Sequence, residues 1–376
     1  MRKVFRDDHE LFRKQVRAFI EKEIEPFHAQ WEKDGIVPKD VWLKAGEQGL
    51  LCVSIPEEYG GPGGDFGHSA VIIEELARAN ATAVGFTTHS EIAVPYILAY
   101  GTEEQKQRWL PKMISGEKIC ALALTEPGTG SDLRSMRTSA AQEGDNFVIN
   151  GQKTFITNGS NSDCAILATK FDPTPTGKEI TLFIVDHELR GCSKGKRLEK
   201  IGLKGQDTSE LFYDDVTVSA DDMLHEPHKG FHCLTHQLAK ERLIIGIRAA
   251  ESVFAVLNET IDYVRDRKAF GQPVFDFQNT RFKLAEVKAK ATMLRVFIDD
   301  CLALLLEDNL TPDRGAMAKL MGSELQNQLL DELLQLHGGY GFMSEYKVSR
   351  AWVDARVARI YGGTSEIMKE IISRTL

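Results

Sequence analysis

Apolar and polar positions change their spacing twice along the chain, and those two changes divide it into three parts. Near the N-terminus Phe12, Val16, Phe19, Ile20 and Ile24 recur on one face of an amphipathic helix. Further apolar helical stretches follow around Ala70–Ala77 and Ala93–Ala99, joined by turns such as Tyr59-Gly60-Gly61-Pro62-Gly63-Gly64. Thr102 and Gln105 have the spacing of a capping box, which predicts a helix opening there. From about residue 121 the period shortens to that of strands. Phe147–Ile149 and Gln152–Ile156 flank Asn150-Gly151, which predicts a hairpin. Ala165–Ala168, Thr181–Val185 and Leu211–Tyr213 read as further strands, and Pro173 and Pro175 mark turns among them. Beyond Gly230 the helical period returns. Leu238, Leu243, Ile244, Ile247, Ala250 and Val253 suit one long helix, and Phe282, Leu284, Val287, Ala291, Leu294 and Phe297 suit a second that runs on through Leu302–Leu306. Pro312 opens a third, with Met317, Leu320, Met321 and Leu325.

The chain is therefore expected to be mainly α with an inserted β domain: a helical domain at 1–120, a β domain at 121–228 and an antiparallel helical bundle at 229–376. Proline usage agrees, since only Pro273 and Pro312 follow Pro227. A length of 376 residues with 42% apolar and 27% charged residues is that of a folded protein with a sizeable core. No apolar run approaches the length of a spanning helix, so stable membrane insertion is not expected. The net charge of −9 argues against nucleic acid as a partner. Six scattered cysteines without a C-x-x-C pair read as free thiols in a reducing compartment. Met1-Arg2-Lys3 passes at once into Asp7-Asp8-His9-Glu10, too acidic for a leader, so the fold is expected to start at residue 1, in the cytoplasm.

Neither the dinucleotide fingerprint, nor a P-loop, nor a nucleophile elbow occurs. His225, His228, His232, Cys233 and His236 crowd together, three of them at helical ligand spacing. Pro227 and Gly230 separate the first two from any common helix. A polar helix start lined with histidines, rather than a metal site, is the expectation.

Five segments, in order, carry a more specific signal. Leu124-Thr125-Glu126-Pro127-Gly128-Thr129-Gly130-Ser131-Asp132 resembles the T-E-P-G-x-G-S-D signature of the acyl-CoA dehydrogenases. Phe155-Ile156-Thr157-Asn158-Gly159 is similar to that family's flavin-wall strand, and Arg267-Lys268-Ala269-Phe270-Gly271 with Gln278 to R-x-x-F-G followed by Gln. Gln335-Leu336-His337-Gly338-Gly339 and Ile360-Tyr361-Gly362-Gly363-Thr364 match the remaining two. The resemblance implies a helical domain, a β-barrel-like middle domain and a C-terminal four-helix bundle. It also implies FAD as cofactor and an acyl-CoA thioester as substrate. Leu122, Thr125, Gly130, Ser131, Phe155, Ile156 and Thr157 would meet the flavin. Thr364, Ser365 and Glu366 would hold it from the same subunit, and Arg267, Phe270, Gln278, Gln335, Gly338 and Gly339 would hold the FAD of a neighbour. A homotetramer, as a dimer of dimers, and an electron-transferring flavoprotein as acceptor follow from the same resemblance.

Dehydrogenating a saturated thioester needs a base for the α-proton. Many family members carry it directly after the Tyr of the last motif, where this chain has Gly362. The long-chain and isovaleryl branch carries it on the long helix, in an E-R-[LP] context that Lys240-Glu241-Arg242-Leu243 resembles. Glu241 is therefore the expected catalytic base, its pKa raised by apolar surroundings; Glu366 and Glu91 are the weaker candidates. Around the substrate the resemblance puts Ser131, His232, Leu238, Arg242, Tyr361, Gly362 and Gly363, with the Gly362 N–H and a ribityl hydroxyl on the thioester oxygen. Lys200–Thr208, Tyr361–Glu370 and His89-Ser90 look like the long-chain enzymes, whereas His232 replaces a frequent Tyr of the acyl wall and opens the pocket to branched or terpenoid chains. A flavin oxidase or monooxygenase on the same fold, and a non-catalytic acyl-CoA-binding homologue, are the alternative functions.

Overall fold

The fold, a computed structural model, describes residues 2–172 and 179–376; Met1 and the turn positions Pro173 and Pro175 lie outside the described residues. The N-terminal helices are α1 (Asp7–Phe19), α2 (His28–Asp34), α3 (Lys39–Glu47), α4 (Phe66–Arg78), α5 (Val94–Tyr100) and α6 (Glu103–Ile114). The strands are β1 (Cys120–Ala123), β2 (Ser139–Glu143), β3 (Asn146–Thr157), β4 (Cys164–Asp172), β5 (Thr181–Asp186), β6 (Cys192–Arg197), β7 (Thr208–Ser219) and β8 (Met223–Leu224). Three long helices follow, α7 (Gly230–Asp266), α8 (Gln278–Leu306) and α9 (Pro312–His337), and then the shorter α10 (Lys347–Ala355) and α11 (Ser365–Ser373).

Helices α1, α4 and α5 form where the apolar spacing predicts them, and α2 and α3 add to these. Val16, Phe19, Ile20 and Ile24 are buried, and the wide π turn at Ile20–Ile24 continues the buried face of α1. The capping box is present at α6: the Gln105 N–H donates to Thr102 Oγ1 at 3.2 Å and the Thr102 N–H to Gln105 Oε1 at 3.0 Å. The Gln105 side-chain amide also donates to the carbonyls of Asp221 and Met223, so one residue caps a helix and fastens it to the middle domain.

The strands lie in the order β6-β7-β3-β2-β4-β5-β8, with β1 beside β4. Pairings of β4 with β1 and β2 are parallel and the others antiparallel. The Asn150-Gly151 hairpin is not formed, because β3 runs straight through those residues. Glu143 pairs with Asn146, so the turn is Gly144-Asp145, with Gly144 at φ +62°. Gly151 marks instead a shift in the β3–β7 register; a Cβ there would come within 2.4 Å of Thr138 Oγ1. A close approach between strands, not a turn, requires this glycine.

Buried small residues bring α7 against α9. A Cβ on Gly315 would lie 2.6 Å from the Ala239 carbonyl oxygen, and one on Gly322 would lie 3.0 Å from Gly246 Cα. The contact spans Glu241, so α9 fixes the depth at which that residue sits. All six cysteines are free. Among the described residues no helix is long and apolar enough to cross a membrane.

Gly322→Val should force α7 and α9 apart and destabilise the protein by about 2 kcal/mol, read as the shift in a urea unfolding curve. An unchanged midpoint would contradict the close crossing.

Candidate active site

A cavity of about 300 Å³ opens where the three domains meet. The N-terminal domain contributes Ile73 and Leu76 of α4, then Thr82, Val84, Thr87, Thr88 and Ile92. From the middle domain come Leu122, Leu124, Thr125, Gly130, Phe155, Ile156, Thr157 and Gln206. The C-terminal domain adds Leu238, Glu241, Ile244, Ile245 and Arg248 on α7, and the turn Tyr361-Gly362-Gly363.

Glu241 is the carboxylate in this lining, and it is 8% exposed. Burial pushes its pKa up to about 7, against the opposing pull of a hydrogen bond from Tyr96 and the charges of Lys240 and Arg242. The Tyr96 hydroxyl, itself fully buried, donates to Glu241 Oε1 at 3.0 Å. A dry carboxyl with one oxygen held, titrating near neutrality, is suited to take a proton from a bound molecule. In the same lining Gly362 has φ +62°, and a Cβ there would come within 2.7 Å of Ile245 Cδ1. Backbone strain and the Ile245 side chain both disfavour a carboxylate-bearing residue at that position.

The loop bearing Thr125 is held from beneath. Lys153, with no exposed side-chain surface, donates to Glu126 Oε1 at 2.8 Å and to the Leu124 carbonyl at 3.1 Å. The Glu126 carboxylate also accepts the N–H groups of Arg137 and Thr138. Burial alone would raise the Glu126 pKa, but the Lys153 charge and the hydrogen bonds from Lys153, Thr138 and Arg137 together outweigh it and hold the carboxyl below its usual range. Lys153 is pushed down to about 8 by burial, opposed by Glu126. On the neighbouring strand Phe155 takes φ +58° at a break in the β3–β7 register and stays 66% exposed, a strained conformation that turns a large ring to the cavity. Three residues on, the Asn158 side chain donates to the Gly85 carbonyl at 3.0 Å and joins the middle and N-terminal domains.

Of the residues singled out from sequence, Leu122, Thr125, Gly130, Phe155, Ile156, Thr157, Leu238, Glu241, Tyr361, Gly362 and Gly363 line the cavity together. Ser131 is exposed beside Gly130, outside the lining. The Thr364 hydroxyl caps α11 by accepting the Ile367 N–H, Ser365 is buried and donates to Glu324, and Glu366 is exposed. Arg267, Gln335, Gly338 and Gly339 lie together in a second groove with Tyr263 and Tyr340, while Phe270 and Gln278 are exposed.

Two expected substrate contacts lie elsewhere. His232 is nine residues before Glu241, half a rotation around α7, and points to solvent. It does not form the cavity wall. Arg242 is buried about 100° from Glu241 around the helix, on the side of Lys319. Lys319 in turn donates to the Gly363 carbonyl at 2.5 Å, tying the cavity turn to α9. The histidines before and on α7 do not converge as ligands: the Tyr100 hydroxyl meets His236 at 3.0 Å, and His228 precedes the helix at φ +68°. Of the weaker base candidates, Glu366 faces solvent and Glu91 is buried behind the lining.

Sequence reasoning missed Tyr96, Arg248, Gln206 and the threonine-rich wall. Arg248 and Ile245 were accessible, since they stand seven and four residues after Glu241 on the same helical face. Nothing local marks Tyr96, 145 residues from its partner.

Three family models match the chain in order: the acyl-CoA dehydrogenase N-terminal domain at residues 6–117, its middle domain at 121–216 and its C-terminal domain at 228–376. The chain is 46% identical over 378 residues to the mitochondrial long-chain specific acyl-CoA dehydrogenase of Sus scrofa, covering all of this chain and 88% of that one. Among solved structures it is similar to an acyl-CoA dehydrogenase from Geobacillus kaustophilus, with TM-score 0.97, 43% identity and coverage of 100% and 99%. It is also similar to an acyl-CoA dehydrogenase complexed with FAD from Bacillus anthracis, with TM-score 0.92, 32% identity and coverage of 99% and 67%. With all three domains matched around one cavity, this chain is an enzyme of the acyl-CoA dehydrogenase family.

Proposed function

We propose that the protein converts a saturated acyl-CoA to the trans-2-enoyl-CoA, with Glu241 taking the α-proton and FAD as the redox cofactor. The observation that carries this reading is the placement of Glu241: a buried carboxyl in the lining of the interdomain cavity, raised to about 7, in a lining where Gly362 offers no side chain to take a proton.

The residues present suit a flavin. Phe155 offers a large exposed ring beside Thr125 and Thr157. Nothing lies within 4 Å of a Cβ built on Gly128 or Gly130, leaving open backbone of the kind that receives a diphosphate. Leu122, Thr125, Gly130, Phe155, Ile156 and Thr157 would hold the ring edge and its linkage, with Ser131 beside them. When bound, the flavin supplies the acceptor for the β-hydride at its N5 position.

The protein does the rest. Ile244, Ile245 and Leu238 keep water from the reacting carbons, and Tyr96 leaves one Glu241 oxygen free for the α-hydrogen. The Gly362 N–H would donate to the thioester oxygen, and Lys319 fixes that turn through Gly363. As the α-proton moves to Glu241, the electron pair of its C–H bond would close the α,β double bond, its charge shared in passing with the carbonyl, and the β-hydrogen would leave with its own pair to that acceptor.

A long acyl chain is the proposed substrate, supported by the similarity to the long-chain specific enzyme. His232, the departure that would admit branched or terpenoid chains, lies off the cavity. The second groove, with Arg267, Gln335, Gly338 and Gly339, is proposed to meet the FAD of a neighbouring subunit in a homotetramer built as a dimer of dimers. Exposed Phe282, Met293 and Val296 on α8 support packing against another copy. Electron-transferring flavoprotein is the proposed acceptor, and the free thiols support a cytoplasmic setting.

Glu241→Gln should keep bound flavin and lose turnover with a long-chain acyl-CoA by about a thousandfold or more; near-normal turnover would remove Glu241 as the base. Because the working form is the carboxylate, kcat/KM of the native enzyme should fall as pH drops through about 7. Tyr96→Phe removes a donor to that carboxylate, so the same limb should move upward by about one pH unit. A limb that stays in place would show that Tyr96 does not act on the base.

A further inference from the structure

One cation stands in the cavity wall, and removal of the α- and β-hydrogens makes no use of it. Arg248 is the basic residue of the lining, and no other basic side chain lines the cavity among the described residues. It is half-buried, and no hydrogen bond or ion pair joins its guanidinium to another of the described residues. Asp354 borders the same small void beside the cavity, but its oxygens are taken by Thr82 Oγ1 at 2.6 Å and by the Leu203 N–H. A guanidinium carries five N–H donors in a fixed fork. Drawn partly out of water and met by no protein acceptor, such a group is costly unless a ligand brings the oxygens.

The place of Arg248 on α7 decides which part of a ligand it meets. Leu238, Glu241, Ile245 and Arg248 follow one helical face, and Arg248 stands two turns, about 10 Å, beyond Glu241. Toward the start of α7, Thr235 and His236 are exposed, so that end faces water. At the other end Arg248 borders the void, which α9 and α10 close through Gln326, Ala351 and Ala355. No middle-domain residue lines that void among the described residues, whereas Thr125, Phe155 and Thr157 of the wall proposed for the flavin belong to the middle domain. With the α-carbon at Glu241 and the bulky CoA toward the open start of the helix, the acyl chain runs inward along Ile244 and Ile245 to Arg248.

We propose that Arg248 is a specificity-determining residue that receives a carboxylate at the far end of the acyl chain, so that the preferred substrates are CoA mono-thioesters of dicarboxylic acids. The inference rests on the dehydrogenation reading and names the substrate class of that same site. A guanidinium matches a carboxylate through two parallel charge-assisted hydrogen bonds. A chain ending in methyl leaves those donors unanswered, which is how a polar site rejects an apolar analogue. The chemistry at the α- and β-carbons is the same for both chains.

The test compares dodecanoyl-CoA with the CoA mono-thioester of dodecanedioic acid, which differ only in the terminal group, on the holoenzyme. The native protein should favour the carboxylate-bearing chain in kcat/KM. Arg248→Leu should lower that ratio by about a hundredfold, mostly through KM. Arg248→Lys, which keeps the charge, should hold the ratio above that of Arg248→Leu, and Arg248→Gln serves if the leucine variant does not retain flavin. A native preference for the methyl-ended chain, or a ratio that the loss of the guanidinium does not move, would overturn the inference. Dissociation constants of both thioesters, measured by calorimetry, give the same ratio without turnover. If neither thioester is oxidised the dehydrogenation reading falls and the binding ratio still decides the role of Arg248; oxidation of both without preference removes that role alone.

Discussion

Taking a carboxyl out of water raises its proton affinity, and the cavity of this enzyme is arranged around one such group. In the role proposed for it, Glu241 must be dry enough to titrate near neutrality, yet able to ionise. Its burial comes from α7, a helix of 37 residues without proline, pressed against α9 through Gly315, Ala318 and Gly322. Its ability to ionise comes from Tyr96, Lys240 and Arg242. Loosening the helix crossing would admit water, and removing the donors would leave the proton in place.

The other walls are fixed by buried polar groups, each joining segments far apart in sequence. Lys153 and Glu126 hold the Thr125 loop to β3. Asn158 ties β3 to Gly85. Asp354, 7% exposed, accepts Thr82 Oγ1 at 2.6 Å and the Leu203 N–H, so that one carboxylate meets all three domains. A buried ion pair or carboxylate is a poor source of net stability, but breaking one is severe, which makes such groups effective at holding a single arrangement. The cavity lies where these three ties converge.

Much of this was legible in the chain. The change from helical to strand period and back placed the three domains, and Thr102 with Gln105 announced α6 because a cap is local chemistry. The Asn150-Gly151 pair misled because glycine serves both turns and close strand crossings, and only the neighbouring Thr138 decides between them. Glu241 could be picked out through its Glu-Arg-Leu context and the empty acid position at Gly362. His232 failed as a wall residue on helical geometry that nine residues of separation already contained. Tyr96 and Asp354 were not legible, since each acts on a partner brought near only by tertiary packing.

The role of Glu241 is most directly tested by hydrogen exchange at the acyl α-carbon. Holoenzyme incubated anaerobically in D₂O with a long-chain acyl-CoA should wash out the α-proton signal in the NMR spectrum, and Glu241→Gln with flavin bound should leave it intact. Exchange at the native rate in that variant would contradict Glu241 as the group that takes the proton.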